Sequence, residues 1–222
     1  MPLRIVAVAD THTFERDFAE VPEGDVFVHA GDLCRAGTLD ELRKVAQWIT
    51  ALPHRDKVIV PGNHDWAFVR AKDAVRALLG PSVTVLEDSG VTIGGARFWG
   101  SPWQPAFHNW AYNLPRGAAL AEKWALIPEG VDVLITHGPP EGIGDRSSTG
   151  GRKGCADLRE RVRVARPKLH LFGHIHEDGG CWTVEDTVFA NVTTWECERA
   201  PSVFDLDAAH ALPVSIPPRA RT

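Results

Sequence analysis

Residues 3–12 read LRIVAVADTH. The run 3–9 is apolar at nearly every position, as in a strand covered on both faces, and the polar triplet Asp10-Thr11-His12 follows at once. The same pattern recurs along the chain. Gly31-Asp32 follows the apolar run 26–30, Gly62-Asn63-His64-Asp65 follows 57–60, His137-Gly138 follows 131–136, and Gly173-His174-Ile175-His176 follows 168–172. In open α/β sheets, sites form at the carboxyl ends of strands. The repetition therefore predicts that five polar clusters converge on one place. A Gly-Asp or an Asp-x-His alone reads as a turn; five such clusters in matching contexts do not.

Between these runs lie amphipathic stretches at 39–52, 67–79, 118–126 and 156–165, which predict helices. Thr38 with Glu41 predicts a capping box at the start of the first. The β–α alternation predicts an α/β fold, with a further strand at 97–100. The segments 182–184, 188–192 and 203–206 have no long helix between them and read as an antiparallel meander with a turn at Asp186-Thr187, so the sheets are expected to be mixed. The expected organisation is one domain over residues 1–212, followed by a flexible tail over 213–222 that holds Pro217-Pro218 and has little to bury.

The 222 residues carry 24 Lys+Arg against 29 Asp+Glu, a formal net charge of −5. That balance argues against a protein that coats nucleic acid, since such domains are usually basic. Cys34, Cys155, Cys181 and Cys197 form no C-x-x-C pair and read as reduced thiols in a cytoplasmic setting. The first residues run directly into a strand, with no signal peptide, and no apolar run is long enough to span a membrane.

The clusters combine two carboxylates (Asp10, Asp32), four imidazoles (His12, His137, His174, His176) and one amide (Asn63). This oxygen–nitrogen set suits a pair of divalent ions such as manganese, iron or zinc, with manganese placed first. The absence of thiolates argues against a structural zinc site. In Asp-x-His and His-x-His, alternation along an extended segment would turn both side chains to one side. His29, inside a strand, reads as a core histidine or a support for a ligand. His54, His170 and His210 read as structural or surface residues.

The ordered set Asp10-Thr11-His12, Gly31-Asp32, Gly62-Asn63-His64-Asp65, His137-Gly138 and Gly173-His174-Ile175-His176 resembles the motif set of the calcineurin-like metallophosphoesterases. The stretches Gly100-Ser101-Pro102-Trp103, Asn113-Leu114-Pro115-Arg116-Gly117, Thr136-His137-Gly138-Pro139-Pro140 and Arg166-Pro167-Lys168-Leu169-His170 extend the resemblance to the metallophosphoesterase-domain-containing (MPPED) phosphodiesterase subgroup. Some members of that subgroup carry Gly where this chain has His174. The resemblance implies a four-layer α-β-β-α sandwich of two mixed sheets flanked by helices. It also implies a dinuclear centre, with Asp10, His12, Asp32 and His176 on one ion and Asp32, Asn63, His137 and His174 on the other. His64 faces the substrate in that scheme.

The activity so implied is hydrolysis of small phosphodiesters such as cyclic nucleotides, by in-line attack of a metal-bound hydroxide. His64 would assist the leaving group, and Asp65 is either its orienting partner or a turn residue. The alternatives are a phosphomonoesterase or protein phosphatase, and a nucleotide-binding protein with vestigial activity. Phe107 and Asn109, in an aromatic segment, and Arg146, in the glycine-rich stretch 141–154, are candidate substrate contacts. Each can equally be core or surface. The stretch 141–154 itself reads as a mobile loop that meets phosphate or as a solvated surface loop.

Overall fold

The computed structural model describes residues 1–218. Along the chain run β1 (Leu3–Val8), β2 (Val26–His29), α1 (Leu39–Ala51), β3 (Asp56–Ile59), α2 (Trp66–Arg70), α3 (Lys72–Leu79) and β4 (Val83–Val85). Then come β5 (Ser89–Ile93), β6 (Ala96–Ser101), β7 (Gln104–Pro105), β8 (Asn113–Leu114), α4 (Ala118–Trp124), β9 (Val133–Thr136), α5 (Ala156–Ala165) and β10 (Leu169–Phe172). The described chain ends with β11 (Gly180–Val184), β12 (Thr187–Asn191), β13 (Ser202–Leu206) and β14 (Ala211–Ser215). Two six-stranded sheets result, ordered β14-β13-β1-β2-β3-β4 and β11-β12-β10-β9-β6-β5. No helix among the described residues is long and apolar enough to cross a membrane.

The layers follow from residue parity. In β1, Ile5 and Ala7 enter the core between the sheets, while Val6 and Val8 pack with Leu42, Val45 and Ile49 of α1. In β9 and β10, Val133, Ile135, Leu169 and Leu171 face inward, while Leu134 and Phe172 pack with Leu158 and Val162 of α5. Both faces of each sheet are thus buried, which is why these strands read as continuous apolar runs. Three cores separate four layers, the expected α-β-β-α sandwich. The α1 cap has Thr38 Oγ1 accepting from Glu41 N at 3.2 Å, with the Glu41 carboxylate returning to the Thr38 backbone.

Several expectations are corrected. Residues 182–206 are not one meander. β11 and β12 form an antiparallel hairpin, but β12 pairs parallel with β10, and β13 crosses to the other sheet to pair antiparallel with β1. The hairpin turn is Glu185-Asp186, with Glu185 at φ 53°. The single helix expected at 67–79 is two, broken at Ala71, whose φ −144° and ψ 47° are not helical. The tail expected from 213 begins inside β14, where Pro213 is tolerated because this is an edge strand. Pro217 and Pro218 carbonyls accept from Arg199. Residues 219–222 lie outside the described residues.

Two histidines sit in the strand interiors. His29 and His170 are fully buried, and burial lowers each to about 3. An unfolded imidazole takes its proton near 6.5. Between those values the unfolded chain binds the extra proton, so stability falls as pH drops from about 6.5 toward 3. The slope for each such histidine is about 1.4 kcal/mol per pH unit. His170→Gln in the metal-free protein should flatten the dependence by one histidine's share, measured by chemical denaturation between pH 7 and 4.5. A slope equal to the parent's would contradict a neutral buried His170.

Candidate metal centre

The five clusters meet at the carboxyl ends of β1, β2, β3, β9 and β10. Three groups of side chains offer ligand atoms within 4.8 Å of one another: Asp10, His12 and His176; His12, Asp32 and His64; Asp32, His137 and His174. Asp32 and His12 each belong to two groups. Asn63 joins them, its Oδ1 2.9 Å from His137 Nε2.

Both carboxylates are buried, Asp10 at 0% and Asp32 at 2% exposure. Burial alone would raise them. His176 and His137 around Asp10, and His137 and His12 around Asp32, instead hold both well below the usual carboxylate range. The ion pairs described for them are all with histidines, at 3.6 Å to His176, 3.3 Å to His137 and 3.8 Å to His12. Burial opposes a charge on His137 too, yet Asp32 and Asp10 raise it to about 9. A cation fits this place: it would satisfy the carboxylates and release the histidine protons.

The imidazoles are set for such a role. His12 Nδ1 lies 3.0 Å from the Cys34 carbonyl and His137 Nδ1 3.0 Å from that of Ala30. Donation there orients each ring and turns its Nε2 toward the carboxylates, the usual arrangement of metal-ligating histidines. Burial lowers His174 to about 3, so its imidazole is neutral. Glycines keep the space open. A Cβ at Gly62 would lie 2.3 Å from Asp32 Oδ1, one at Gly173 2.6 Å from Asp10 Oδ2, and one at Gly31 2.2 Å from His137 Nδ1.

The backbone there is strained. Asp10, His12, Thr13, Asp32 and His174 have φ between 46° and 71°. A left-handed non-glycine residue costs about 1–2 kcal/mol. Left-handed kinks, and not the alternation of an extended segment, bring Asp10 beside His12 and His174 toward His176. The carboxylate of Asp10 accepts from His174 N at 3.0 Å and that of Asp32 from His64 N at 2.8 Å, offsetting part of the cost. A second run, Trp195, Glu196 and Cys197, has φ of 48°, 56° and 67°. Glu196 N donates to the Asp10 carbonyl and Thr194 Oγ1 to that of Ala9.

His64 has Nδ1 2.5 Å from the Arg35 carbonyl and its ring stacked 4.1 Å from Trp110. Nε2 is then the nitrogen available to a bound molecule. Asp65 is not its partner. The Asp65 carboxylate accepts from the backbone N–H of Gly62 at 2.8 Å, Cys34 at 2.9 Å and Leu33 at 3.2 Å. Burial first, and Asp32 next, raise it to about 6. It is a loop-building residue, because three orphan amides point at it. Phe107 lies 5.2 Å from the His174 ring, edge to face. Asn109 and Arg146 are exposed, and the Arg146 amide is held by Asp178. The stretch 141–154 is pinned by buried Asp145, which accepts from Gly142 N, Gly154 N and Arg152.

Of two supports, the sequence suggested His29 and missed His170 and both threonines. His29 Nε2 lies 2.9 Å from Thr11 Oγ1, and His170 Nε2 2.9 Å from Thr136 Oγ1. Thr136 donates its one hydroxyl proton to the Gly138 carbonyl, so His170 Nε2–H is the donor to Thr136. Each buried histidine thus holds a threonine adjacent to a ligand. The threonines could have been suspected from their place between strand and ligand.

The sequence profile of the calcineurin-like phosphoesterases matches residues 3–178, from β1 through His176. The chain belongs to this family. This phosphoesterase is 40% identical over 232 residues to the human metallophosphoesterase domain-containing protein 1, covering 91% of this chain and 71% of that one. It is 36% identical over 214 residues to the Caenorhabditis elegans UPF0046 protein K07C11.7, covering 90% and 72%. The crystal structure of TT1561 from Thermus thermophilus shares the fold, with a TM-score of 0.70 at 14% identity over 96% of this chain and 98% of that one. Fold and donor set together give the dinuclear centre of a metal-dependent hydrolase.

Asp32→Ala should leave fewer than two ions per chain by elemental analysis; two retained ions would contradict its shared position. Thr136→Val should weaken metal binding about tenfold, the low end of the range for a ligand's own hydrogen-bond partner, because Thr136 ties the chain beside His137 and not its ring. Thr136→Ser, which keeps the hydroxyl, should not. Equal affinities in calorimetric titrations of the two variants would remove the His170–Thr136 pair from this role.

Proposed function

We propose that this phosphoesterase hydrolyses small phosphodiesters, cyclic nucleotides among them. Asp10, His12, Asp32 and His176 hold one ion, and Asp32, Asn63, His137 and His174 hold the other. Manganese is placed first and iron or zinc next, since the donors are carboxylate, amide and imidazole. When bound, two divalent ions would offset charge on the phosphoryl oxygens and supply an acidified water at neutral pH.

The observation that carries the diester preference is the pair of rings beside the centre: Trp110 stacked on His64 and Phe107 edge-on to His174. Apolar rings on two sides of the centre suit a phosphate carrying two organic groups better than a doubly charged monoester. His64 holds the proton that the departing oxygen takes up, at Nε2, because Nδ1 is engaged with Arg35. Phe107 and Asn109 line the side of the esterified group, and Arg146 is the candidate contact to charge from the 141–154 stretch. Asp65 acts only through the loops it joins. The free cysteines fit a reducing, cytoplasmic setting.

His64→Ala should keep both ions yet turn over roughly 10²–10⁴-fold more slowly, the usual cost of losing a general acid. Parent-like turnover with the ions present would take His64 out of the reaction. Metal-loaded protein should cleave bis-p-nitrophenyl phosphate and 2′,3′- or 3′,5′-cyclic nucleotides faster than p-nitrophenyl phosphate. The reverse order would make it a phosphomonoesterase or protein phosphatase. Turnover of none, with manganese, iron or zinc, would make it a nucleotide-binding protein with vestigial activity.

A further inference from the structure

Six of the eight tryptophans have a packing role: Trp48, Trp66, Trp99, Trp103, Trp124 and Trp182 belong to or pack against the helix–sheet cores. Trp110 and Trp195 belong to none of the three cores. They are also the two whose rings lie against histidines of the metal centre. Trp195 is 6.0 Å from the His176 ring, His176 is 5.4 Å from His12, His12 is 4.7 Å from His64, and His64 is 4.1 Å from Trp110. The two indoles end one continuous row of rings that passes across the centre. Both are only partly buried.

Trp195 is also placed like the ligands. It follows β12, which runs parallel to β10, so it stands at the carboxyl end of a further parallel strand beside the ligand-bearing ones. The turn that carries it is left-handed over three successive non-glycine residues and is fastened to the Asp10 carbonyl through Glu196 N. Such a conformation persists only where its surroundings over-determine it, and it clusters at functional sites.

Resting on the phosphodiesterase reading above, we propose that Trp195 is the aromatic wall of a slot, on the His176 side of the centre and opposite the Trp110 end, that takes a planar aromatic group of the substrate, a nucleobase or an aryl ester. Base–aromatic stacking tolerates any base, since each has a π-face. The slot therefore selects for an aromatic substituent and not for one base over another.

The test uses the full-length, metal-loaded chain and two diesters with the same leaving group, thymidine 5′-(p-nitrophenyl phosphate) and methyl p-nitrophenyl phosphate. The parent should favour the thymidine diester. Trp195→Ala should lower that preference about tenfold, mostly through KM, in line with the loss of one stacking partner, and Trp195→Phe should restore most of it. An unchanged preference in Trp195→Ala would overturn the slot. Metal content checks each variant. If the alanine protein loses its ions, Trp195→Leu makes the same comparison. If the parent cleaves neither diester, the phosphodiesterase reading fails and binding decides the slot: Trp195→Ala should weaken thymidine 5′-monophosphate and leave inorganic phosphate unaffected. Equal effects on both, or none, would overturn it.

Discussion

Two buried carboxylates, Asp10 and Asp32, have imidazoles around them, and the ion pairs described for them include no lysine or arginine. Taking a carboxylate out of water costs several kcal/mol unless charge and hydrogen bonds replace the solvent. Much else at this end of the molecule follows from that constraint. His137 is drawn toward its charged form by Asp32, the amides of His64 and His174 are turned onto the carboxylates, and the chain accepts left-handed residues to turn them. Gly31, Gly62 and Gly173 are needed because any side chain would occupy the space in which the donors face one another.

The centre also holds the two sheets in register. Ala9, at the end of β1, accepts from Thr194 N and donates to the Val192 carbonyl, bridging the sheets at the site end. His137 reaches from β9 to the Ala30 carbonyl beyond β2, and Asp10 reaches from β1 to His174 beyond β10. The apolar layer between the sheets is non-directional. It would tolerate a small slide of one sheet over the other, whereas these polar links would not. Ligand geometry and sheet packing are therefore one structural problem, and the buried histidine–threonine pairs, one in each sheet, support it from both sides.

What the sequence disclosed was local. An apolar run followed at once by Asp, His or Asn is visible in a ten-residue window, so the five clusters and the strands before them were legible, as was the Thr38–Glu41 cap. Strand direction was not, because it depends on the partner. β12 has the apolar composition of a parallel strand, but its nearness to β11 suggests a meander, and no Asp, His or Asn pair after it marks Trp195 as it marks His137 and His174. The left-handed turns at Asp10 and His174 are likewise invisible locally, since they go with contacts to distant loops: Asp10 N donates to the Gly31 carbonyl and His174 N to the Asp10 carboxylate. β4, β5 and β14 are short or lie at or near sheet edges, with weak periodicity. The 141–154 stretch resembled a mobile loop because Asp145, which pins it, is one acid among many until its burial is known.

Asp65 shows why role cannot be read from position. It adjoins His64, and a carboxylate next to an imidazole invites pairing, yet its oxygens face the amides of Leu33, Cys34 and Gly62. Those amides lie in two loops, one following Asp32 and one preceding Asn63. A single buried carboxylate therefore makes the two ligand-bearing loops one unit. His64 is left to a neutral partner, the Arg35 carbonyl. A carbonyl orients the ring as well as a carboxylate would, without adding negative charge beside the metal centre. The separation of duties is electrostatically sensible: the charge that builds the loops is turned away from His64, and the His64 imidazole is aimed by a dipole.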